Sequence, residues 1–352
     1  MINYELTYLL IYLTWNCNLR CVHCWIEAGC EFKEYVKFED IKDFLDQAID
    51  MGVKDIRFTG GEPTMCWKTI KSVIEYTYKY GVNYAIETNG TLLNKERITF
   101  LKKHNVSVGI SINGVDAEEH DSFSAMPGAF NRTMANLSIM KELDFEPSEI
   151  VTSISRETLP NLKNRIRFFD RLGIRSVKIN IIQNSGRAEK MFAEKKLLST
   201  DDTINVHQEI KDIQNEVNTF ISLDVPHCMK SYNEFSHGIS QCGINHMLCI
   251  LPNLDIALCG YGTFDSSITL DKIVPDFDLE NCWNHHPKLI ELRNAREKRL
   301  SGVCKKCVHF MSCLGSCRIK AYREYGRWDA PYPDCQYLYD NNIFPETRLL
   351  VK

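Results

Sequence analysis

The chain of 352 residues is 44% hydrophobic and 25% charged, which is ordinary for a globular protein and sufficient for one large domain or two smaller ones. Its formal net charge of −4 is small and of the wrong sign for a protein that binds nucleic acid. No apolar run approaches the ~20 residues of a membrane span, and the first apolar segment lacks the features of a signal peptide.

Cysteine is the unusual component of the composition, with fifteen residues. Because the chain shows no export signal, we expect it to lie in a reducing compartment, the cytoplasm, where disulfides are rare. Scattered buried thiols are the simplest alternative, since free cysteine packs well in a core. The clustering of these cysteines instead favours metal binding.

Strand-like and helix-like segments alternate up to about residue 190. The six predicted strands are TYLLIYLT, VKDIRFTG, VNYAIETNG, VSVGISING, EIVTSIS and SVKINII. Five amphipathic helices separate them, as in parallel βα units with right-handed connections. Six units are fewer than the eight of a closed TIM barrel. The sequence therefore predicts an α/β fold with an open, partial (β/α)6 TIM-like barrel.

The second half of the chain departs from this alternation. Residues 200–221 are predicted to form one helix that is capped by Thr200 or Asp201 and bridges to a second region. From Cys242 onward cysteines dominate. The predicted organisation is a barrel over residues 1–195, a bridging helix and linker over 196–240 and a cysteine-rich domain over 241–352.

Polar or glycine-rich segments follow the first four predicted strands. They are CNLRCVHC, GGEPT, ETNG and SING, in chain order. Active sites of parallel sheets lie at the carboxyl ends of the strands. We therefore expect these four segments to converge on one face and to form the site.

The first segment contains Cys17, Cys21 and Cys24 with the spacing Cx3Cx2C. A structural zinc site uses four ligands. Three thiolates can instead hold three irons of a [4Fe–4S] cluster and leave the fourth iron open. This motif after the first strand of a partial barrel resembles the radical S-adenosylmethionine (SAM) enzymes. The resemblance implies that the open iron chelates SAM, which is split into methionine and a 5′-deoxyadenosyl radical that abstracts a substrate hydrogen.

Other segments resemble the SAM-binding motifs of that family. The implied contacts are His23 at the adenine, Gly60, Gly61, Glu62 and Pro63 at the amine, Thr88, Asn89, Ser111 and Asn113 at the ribose and carboxylate, and Gly186 and Arg187 after the sixth strand. Glycines let a backbone approach a ligand closely, and a carboxylate accepts from a cationic amine. Ser124 departs from the pattern, because the family often has arginine there.

The C-terminal segment CKKCVHFMSCLGSC has the spacing Cx2Cx5Cx3C. With flanking cysteines it resembles the SPASM domain, a small cysteine-rich extension with a β-hairpin and short helices that binds two auxiliary [4Fe–4S] clusters. The resemblance implies an outer cluster on Cys304, Cys307, Cys313 and Cys335, and an inner cluster on Cys242, Cys259 and Cys317 with Cys249 as candidate fourth ligand. A structural zinc site is the alternative for the Cx2Cx5Cx3C motif.

Leu254 stands where the SPASM pattern has glycine, so we expect Asn253 to supply any turn residue with positive φ. Cys30, Cys66, Cys228 and Cys282 lie outside both motifs and are expected to be structural. Cys66 has a second interpretation. It follows GGEPT, and some family members use a cysteine thiol as a hydrogen-atom donor.

The resemblance implies three [4Fe–4S] clusters, SAM and an external electron donor such as flavodoxin or ferredoxin. It favours an oxidoreductase that crosslinks, oxidises or epimerises a ribosomally made peptide. Because only sixteen residues precede the first cluster cysteine, we expect either that a separate leader-binding protein presents that peptide or that the substrate needs no leader. One alternative is a dehydrogenase or epimerase of a sugar or tetrapyrrole. The other is a metal-stabilised binding protein without catalysis. Partners such as nucleic acid or a membrane are not expected.

Overall fold

Seven parallel strands form the frame of the barrel in the computed structural model, which describes residues 4–231, 234, 242–297 and 300–350. The strands are β1 (Tyr8–Tyr12), β2 (Asp55–Thr59), β3 (Asn83–Thr88), β4 (Ser107–Ser111), β5 (Glu149–Ile154), β6 (Ser176–Ile181) and β7 (Phe220–Leu223). Each pairs in parallel with the next, as in Leu9 opposite Ile56. Their carboxyl ends therefore lie along one edge, as predicted.

Helices connect consecutive strands of this sheet. They are α1 (Phe38–Asp50), α2 (Trp67–Thr77), α3 (Lys95–Lys103), α4 (Ala117–Ser124), α5 (Ala129–Glu142), α6 (Leu162–Arg171), α7 (Ala188–Ala193) and α8 (Thr200–Gln214). In α1 the buried residues Ile41, Phe44, Leu45 and Ala48 recur at the spacing of one helix face. This apolar stripe is what the sequence pattern detects.

Three further strands extend the sheet beyond β1. They are β8 (Met247–Ile250), β9 (Asp255–Ala257) and β10 (Thr269–Lys272). Both β8 with β9 and β9 with β10 are antiparallel, so β8 and β9 form a hairpin. The strand order is β10-β9-β8-β1-β2-β3-β4-β5-β6-β7, with β10 and β7 at the edges. The described sheet is thus open, and the predicted α/β fold with a partial barrel is confirmed.

The predicted helix over residues 200–221 is wrong in its extent. Its cap is Ser199, not Thr200 or Asp201, because Ser199 Oγ accepts from Asp202 N at 3.1 Å, and helix α8 ends at Gln214. The Gln214 side chain then bonds to the next segment, where Oε1 accepts from Ile221 N at 2.9 Å. The segment FISL is rich in β-formers and pairs with β6 as the seventh strand. Parallel pairing, a long-range contact, decides its structure.

The turn between β8 and β9 also corrects an expectation. Leu254 itself, and not Asn253, adopts the left-handed conformation, with a φ of 68°. Leu254 N donates to Leu251 O at 2.8 Å, which closes the turn. Asn253 instead uses its side chain, whose Oδ1 accepts from Asp255 N at 3.2 Å. The position keeps the backbone that glycine favours, although leucine occupies it.

Contacts divide the chain into two units made of separated pieces. One comprises Thr7–Asp224 and Leu248–Phe277, and the other comprises the described residues of Met1–Leu6, Val225–Met247 and Asp278–Lys352. The second unit contains α9 (Leu279–His285), α10 (Pro287–Glu297), α11 (Phe310–Cys313), α12 (Arg318–Tyr325) and α13 (Pro333–Asp340). The three-part division at 195 and 240 stays a prediction. None of the described helices is long and apolar enough to span a bilayer.

Candidate active site at the carboxyl ends of the strands

The cluster loop, residues 13–36 between β1 and α1, carries the first three cysteines. Cys17 is buried, whereas Cys21 and Cys24 are half-buried. The N–H of Leu19 donates to Cys17 Sγ at 3.3 Å, and the N–H of Ala28 donates to Cys24 Sγ at 3.4 Å. Hydrogen bonds of this kind favour the thiolate, which is the form that binds iron.

Burial opposes ionisation of these thiols when no metal balances their charge. It raises the pKa of Cys17 to about 12 and the pKa of Cys21 to about 12. Among the described residues, no three His, Cys, Asp or Glu side chains are close enough to ligate a single metal ion. In a [4Fe–4S] cluster each cysteine binds a different iron. A set of three thiols, two of which accept backbone N–H bonds, fits such a cluster by its donor chemistry.

Arg187, after β6, fastens the cluster loop. Its Nε donates to Cys21 O at 2.8 Å, its Nη1 to Ala28 O at 2.9 Å and its backbone N–H to Cys24 O at 3.0 Å. Gly186 precedes it with a φ of 58°, and a Cβ there would lie 2.6 Å from Cys24 O. Both residues therefore position the loop, while their contact with SAM stays a prediction.

The two glycines of GGEP also approach the cluster loop. A Cβ on Gly60, which has a φ of 136°, would lie 2.6 Å from Thr14 O, and a Cβ on Gly61 would lie 2.1 Å from Asn16 O. Gly61 N donates to Thr14 O, and Glu62 N donates to Asn16 O, both at 2.7 Å. Only glycine permits this backbone contact between the ends of β1 and β2.

The carboxylate of Glu62 ties β2 to β3 from a site that is 1% exposed. Its Oε1 accepts from Thr64 N at 3.0 Å, Thr64 Oγ1 at 2.5 Å and Thr88 Oγ1 at 2.6 Å. Its Oε2 accepts from Asn89 N at 2.8 Å. Burial raises the pKa of Glu62, while the bonds from Thr64 and Thr88 act to lower it. Glu62 thus holds GGEP in place, next to the buried ring of Pro63.

Asn89 links β3 to the first cysteine. Its Nδ2 lies 3.9 Å from Cys17 Sγ and donates to Asn18 Oδ1 at 3.0 Å. Its Oδ1 accepts from Thr91 N at 2.9 Å. The ETNG motif indicates Asn89, but no motif indicates Asn18 or Thr91, since both are common polar residues in a loop. Together they fix an amide beside a predicted cluster ligand.

Asn113 and Ser111 lie at the end of β4. Asn113 Oδ1 accepts from Ser153 N at 2.7 Å, and Asn113 N donates to Nδ1 of the buried His120 at 3.1 Å. Burial, with a contribution from Arg165, lowers the pKa of His120 to about 4. A neutral imidazole is required for it to accept this bond. Ser111 is half-buried on the same edge.

His23, within the cluster loop, forms an aromatic pair with Phe123 of α4. Their ring centroids are 4.4 Å apart and stacked. Burial and Arg187 lower the pKa of His23 to about 3, so the ring is neutral. Ser124 does not reproduce the role of an arginine. Its carbonyl accepts from Arg20 N at 3.1 Å and so holds the loop from α4.

Cys66 lies just beyond GGEP and is half-buried. Its Sγ is 3.9 Å from Leu13 O. Burial, with a contribution from Glu62, raises the pKa of this thiol to about 11. The thiol therefore keeps its hydrogen at neutral pH, which is compatible with hydrogen-atom donation, and the donor role stays a prediction.

The predicted auxiliary ligands fall in both units. Cys249 and Cys259 belong to the barrel unit, with Cys249 on β8. The second unit contains Cys242, Cys304, Cys307, Cys313, Cys317 and Cys335. Cys242 and Cys317 form a hydrogen-bonded thiol pair, which lowers the pKa of Cys242. The structure thus brings together two predicted inner ligands within this unit.

Backbone N–H groups also donate to the sulfurs of the second unit. Tyr332 N donates to Cys304 Sγ, and His309 N donates to Cys307 Sγ, both at 3.4 Å. Lys320 N donates to Cys317 Sγ at the same distance. Sulfurs that accept from backbone N–H groups are arranged as thiolate ligands require.

Residues 11–168 match the sequence profile of the Radical SAM superfamily. The matched segment contains the cluster loop, GGEP and the ends of β3 and β4. This chain carries a radical SAM domain. Its partial barrel places the domain's motifs along one edge, as that assignment requires.

Sequence relatives extend the likeness beyond the radical SAM domain. The chain is 25% identical over 350 residues to the AdoMet-dependent heme synthase of Oleidesulfovibrio alaskensis, covering 92% of this chain and 86% of that protein. It is 25% identical over 340 residues to the mycofactocin maturase MftC of Mycolicibacterium smegmatis, covering 92% and 81%. Both alignments also include the cysteine-rich C-terminal part.

A solved structure has the same fold as this chain. Streptococcus suis SuiB, bound to its precursor peptide SuiA, superposes with a TM-score of 0.72 and 19% sequence identity. The match covers 94% of this chain and 76% of SuiB. At this identity the likeness establishes the fold.

Proposed function

We propose that this chain is a radical SAM oxidoreductase that binds one [4Fe–4S] cluster through Cys17, Cys21 and Cys24 and binds SAM at its open iron. The observation that carries the proposal is the fastening of the three-cysteine loop by Arg187, with two of its sulfurs already accepting backbone N–H bonds. A loop held so rigidly suits a cluster that must keep one iron free of protein ligands.

The chain's own residues position and shield this chemistry. When bound, the cluster supplies the electron that cleaves SAM into methionine and a 5′-deoxyadenosyl radical. Glu62 holds GGEP against the cluster loop, and Asn89 donates toward Cys17. The neutral ring of His23, stacked on Phe123, offers an aromatic face to an adenine. Ser111 and Asn113, at the end of β4, are proposed to contact the ribose and the carboxylate of SAM.

The second cysteine set is proposed to bind two auxiliary [4Fe–4S] clusters. The outer one uses Cys304, Cys307, Cys313 and Cys335, and the inner one uses Cys242, Cys249, Cys259 and Cys317. N–H donors at Cys304, Cys307 and Cys317 support this assignment. Such clusters can accept the electron of a substrate radical, which suits a net two-electron oxidation. A flavodoxin or ferredoxin is the proposed external donor.

A ribosomally made peptide is the proposed substrate. Support comes from the likeness to the maturase MftC over 92% of this chain, together with the fold shared with SuiB, a protein solved with its precursor peptide. The product is a crosslinked, oxidised or epimerised peptide, and a separate leader-binding protein presents it.

A tetrapyrrole is the second candidate substrate. The likeness to the AdoMet-dependent heme synthase covers 92% of this chain and 86% of that protein. The two relatives match this chain with the same identity, 25%, and the same coverage, 92%, so the sequence likeness alone favours neither substrate over the other.

Anaerobic reconstitution tests the chemistry. After loading with iron and sulfide, the reduced protein should contain about twelve irons, four for each cluster. It should convert SAM to 5′-deoxyadenosine, and the Cys17→Ala/Cys21→Ala/Cys24→Ala variant should lose that activity and about four irons. A protein that loads iron but forms no 5′-deoxyadenosine is the metal-stabilised binding protein without catalysis.

The substrate needs a separate experiment. The loaded enzyme is incubated with each short peptide encoded beside its gene and, in parallel, with iron-coproporphyrin and related tetrapyrroles. A peptide that loses two hydrogens by mass spectrometry, only when SAM is present, supports the first proposal. Conversion of a tetrapyrrole with all peptides unchanged selects the second.

A further inference from the structure

Arg296 on α10 is a buried cation with no hydrogen-bond partner among the described residues. Its side chain is 1% exposed. Nε, Nη1 and Nη2 of its guanidinium all lack an acceptor. Arginine stays protonated in proteins and carries five N–H donors. A group with this chemistry at this depth requires an anionic acceptor.

The surroundings of Arg296 contain the predicted auxiliary ligands. It is close enough to Cys242 and Cys313 for electrostatic interaction, and it also interacts with Arg318 and Tyr4. Cys242 belongs to the predicted inner set, and Cys313 belongs to the outer set. The orphaned guanidinium therefore lies near one ligand of each set, within a single unit of the structure.

Arg318 is a second, fully buried cation in the same region. Its Nη1 donates to Trp328 O at 3.1 Å and to Ala330 O at 2.6 Å, and its Nη2 donates to Gly315 O at 2.5 Å. It interacts electrostatically with Cys304, Cys242, Cys317 and Cys313. Neutral carbonyls accept from its two Nη atoms but supply no negative charge, and its buried Nε has no acceptor among the described residues.

Two adjacent buried cations repel each other, and cysteines in the protonated thiol form offer them no charge compensation. A [4Fe–4S] cluster with four cysteine thiolates is an anion, and its sulfurs accept N–H bonds. Such a group supplies both missing elements, the negative charge and the acceptors for Arg296. The orphaned donors thus fit the auxiliary clusters of the proposed function, on which this inference rests.

We propose that Arg296 donates N–H···S hydrogen bonds to an auxiliary cluster and, with Arg318, supplies the positive charge that raises the reduction potential of the auxiliary clusters. Positive charge and hydrogen bonds to sulfur both favour the reduced, more negative state. Arg296 is therefore a positioning and tuning residue that makes these clusters better acceptors for the electron of a substrate radical.

The test uses the full chain with the Cys17→Ala/Cys21→Ala/Cys24→Ala changes, so that only auxiliary clusters are present. In this background we compare Arg296→Gln with the parent by an EPR-monitored redox titration. We expect about eight irons in both proteins. The variant should have a lower midpoint potential, by at least a tenfold change in the reduction equilibrium, ~59 mV for one electron.

Arg293→Gln is the matched control. Arg293 lies one turn earlier on α10, where its guanidinium packs over the rings of Tyr4 and Trp283 at 4.9 and 4.5 Å. No cysteine is among the groups that shift its pKa. We expect unchanged midpoint potentials in this variant. A shift equal to that of Arg296→Gln would overturn the assignment to Arg296.

A second measurement tests the proposal if Arg296→Gln fails to bind its auxiliary clusters. The parent, labelled with guanidino-15N arginine, is reduced and examined by pulsed EPR for coupling of 15N to the cluster spin. Because Arg318 carries the same label, a coupling that weakens or disappears in Arg296→Lys supports the proposal. Absence of coupling in the parent, or coupling of unchanged strength in Arg296→Lys, overturns it.

The outcomes separate this inference from the proposed function. If the parent binds no iron, the proposal that this chain binds auxiliary clusters is wrong. If Arg296→Gln keeps about eight irons and the potentials of the parent, the clusters stand and the role of Arg296 is wrong.

Discussion

Cys228 Sγ lies 3.6 Å from Cys335 Sγ, and both thiols are buried. Cys335 is a predicted ligand of the outer cluster, whereas Cys228 belongs to neither motif. The neighbouring Cys228 thiol and burial hold the pKa of Cys335 well above its usual range. Cys335 also interacts electrostatically with Cys304, Cys307 and Cys313. Five thiols are thus available where a cluster uses four.

We expect iron-free protein in air to form a disulfide between Cys228 and Cys335. The two thiols lose two electrons and two protons to dioxygen, which becomes hydrogen peroxide. In the loaded protein, iron occupies Cys335 and prevents this reaction. Peptide mapping by mass spectrometry without reductant measures the crosslink. Cys282→Ser should leave it intact, Cys228→Ser should abolish it, and its absence from oxidised iron-free protein would contradict the expectation.

Arg187→Ala should loosen the cluster loop. The change removes two side-chain bonds from a charged donor, to Cys21 O and Ala28 O. For this half-buried residue we expect a loss of about 2 kcal/mol in the free energy of unfolding. We also expect the loaded variant to release its iron faster than the wild type does. Anaerobic urea unfolding and iron release to a chelator measure the two effects.

The matched control for Arg187 is Arg175→Ala, because Arg175 forms an exposed ion pair with Glu146. We expect that change to stay within about 0.5 kcal/mol of the wild type. Equal stability and iron retention in Arg187→Ala and Arg175→Ala would rule out the loop-fastening role.

Leu254→Gly should be more stable than Leu254→Ala. Both changes remove the leucine side chain, but only glycine relieves a left-handed backbone, at φ 68°. The expected difference in the free energy of unfolding is about 1 kcal/mol in favour of glycine, the reverse of the usual order. Urea denaturation of the two variants measures it. If the alanine variant is the more stable one, the backbone at residue 254 does not keep its left-handed conformation, and the prediction is wrong.

His120 should make the protein sensitive to mild acid. Its pKa is lowered mainly by burial, to about 4, from an ordinary value near 6.5. In the folded protein the ring is neutral. Its contribution to the free energy of unfolding is therefore fully present above about pH 6.5 and is lost as the pH falls toward 4. At pH 5 this loss is up to about 2 kcal/mol.

The control variant is His120→Gln, whose side chain does not titrate and retains an acceptor for Asn113 N. Urea unfolding of both proteins at pH 7.5 and pH 5 measures the difference. The wild type should lose more stability between these pH values than the variant does. An identical loss in both would show that protonation of His120 is not linked to folding.

Much of the site could be predicted because its residues follow strands. Periodicity placed the cysteine loop, GGEP, ETNG and SING at one edge, and the structure agrees. The contacts that hold the loop were not accessible to sequence reasoning. Arg187 binds backbone carbonyls, and Ser124 uses its own carbonyl, so neither contact leaves a signal in residue type.

Two further features depend on long-range pairing or burial. FISL resembles the end of a helix until β6 is available as its partner. Arg296 resembles any exposed helical arginine in a charged segment, and only its burial among cysteines distinguishes it. Both needed the tertiary structure.

The EPR spectrum of the reduced protein before and after addition of SAM tests the central claim most directly. If Cys17, Cys21 and Cys24 hold a cluster with one open iron, SAM binds that iron and changes the signal of the reduced cluster. The Cys17→Ala/Cys21→Ala/Cys24→Ala variant should lack both that signal and its response to SAM. An unchanged spectrum in the loaded wild type, or an equal response in the variant, would contradict the account.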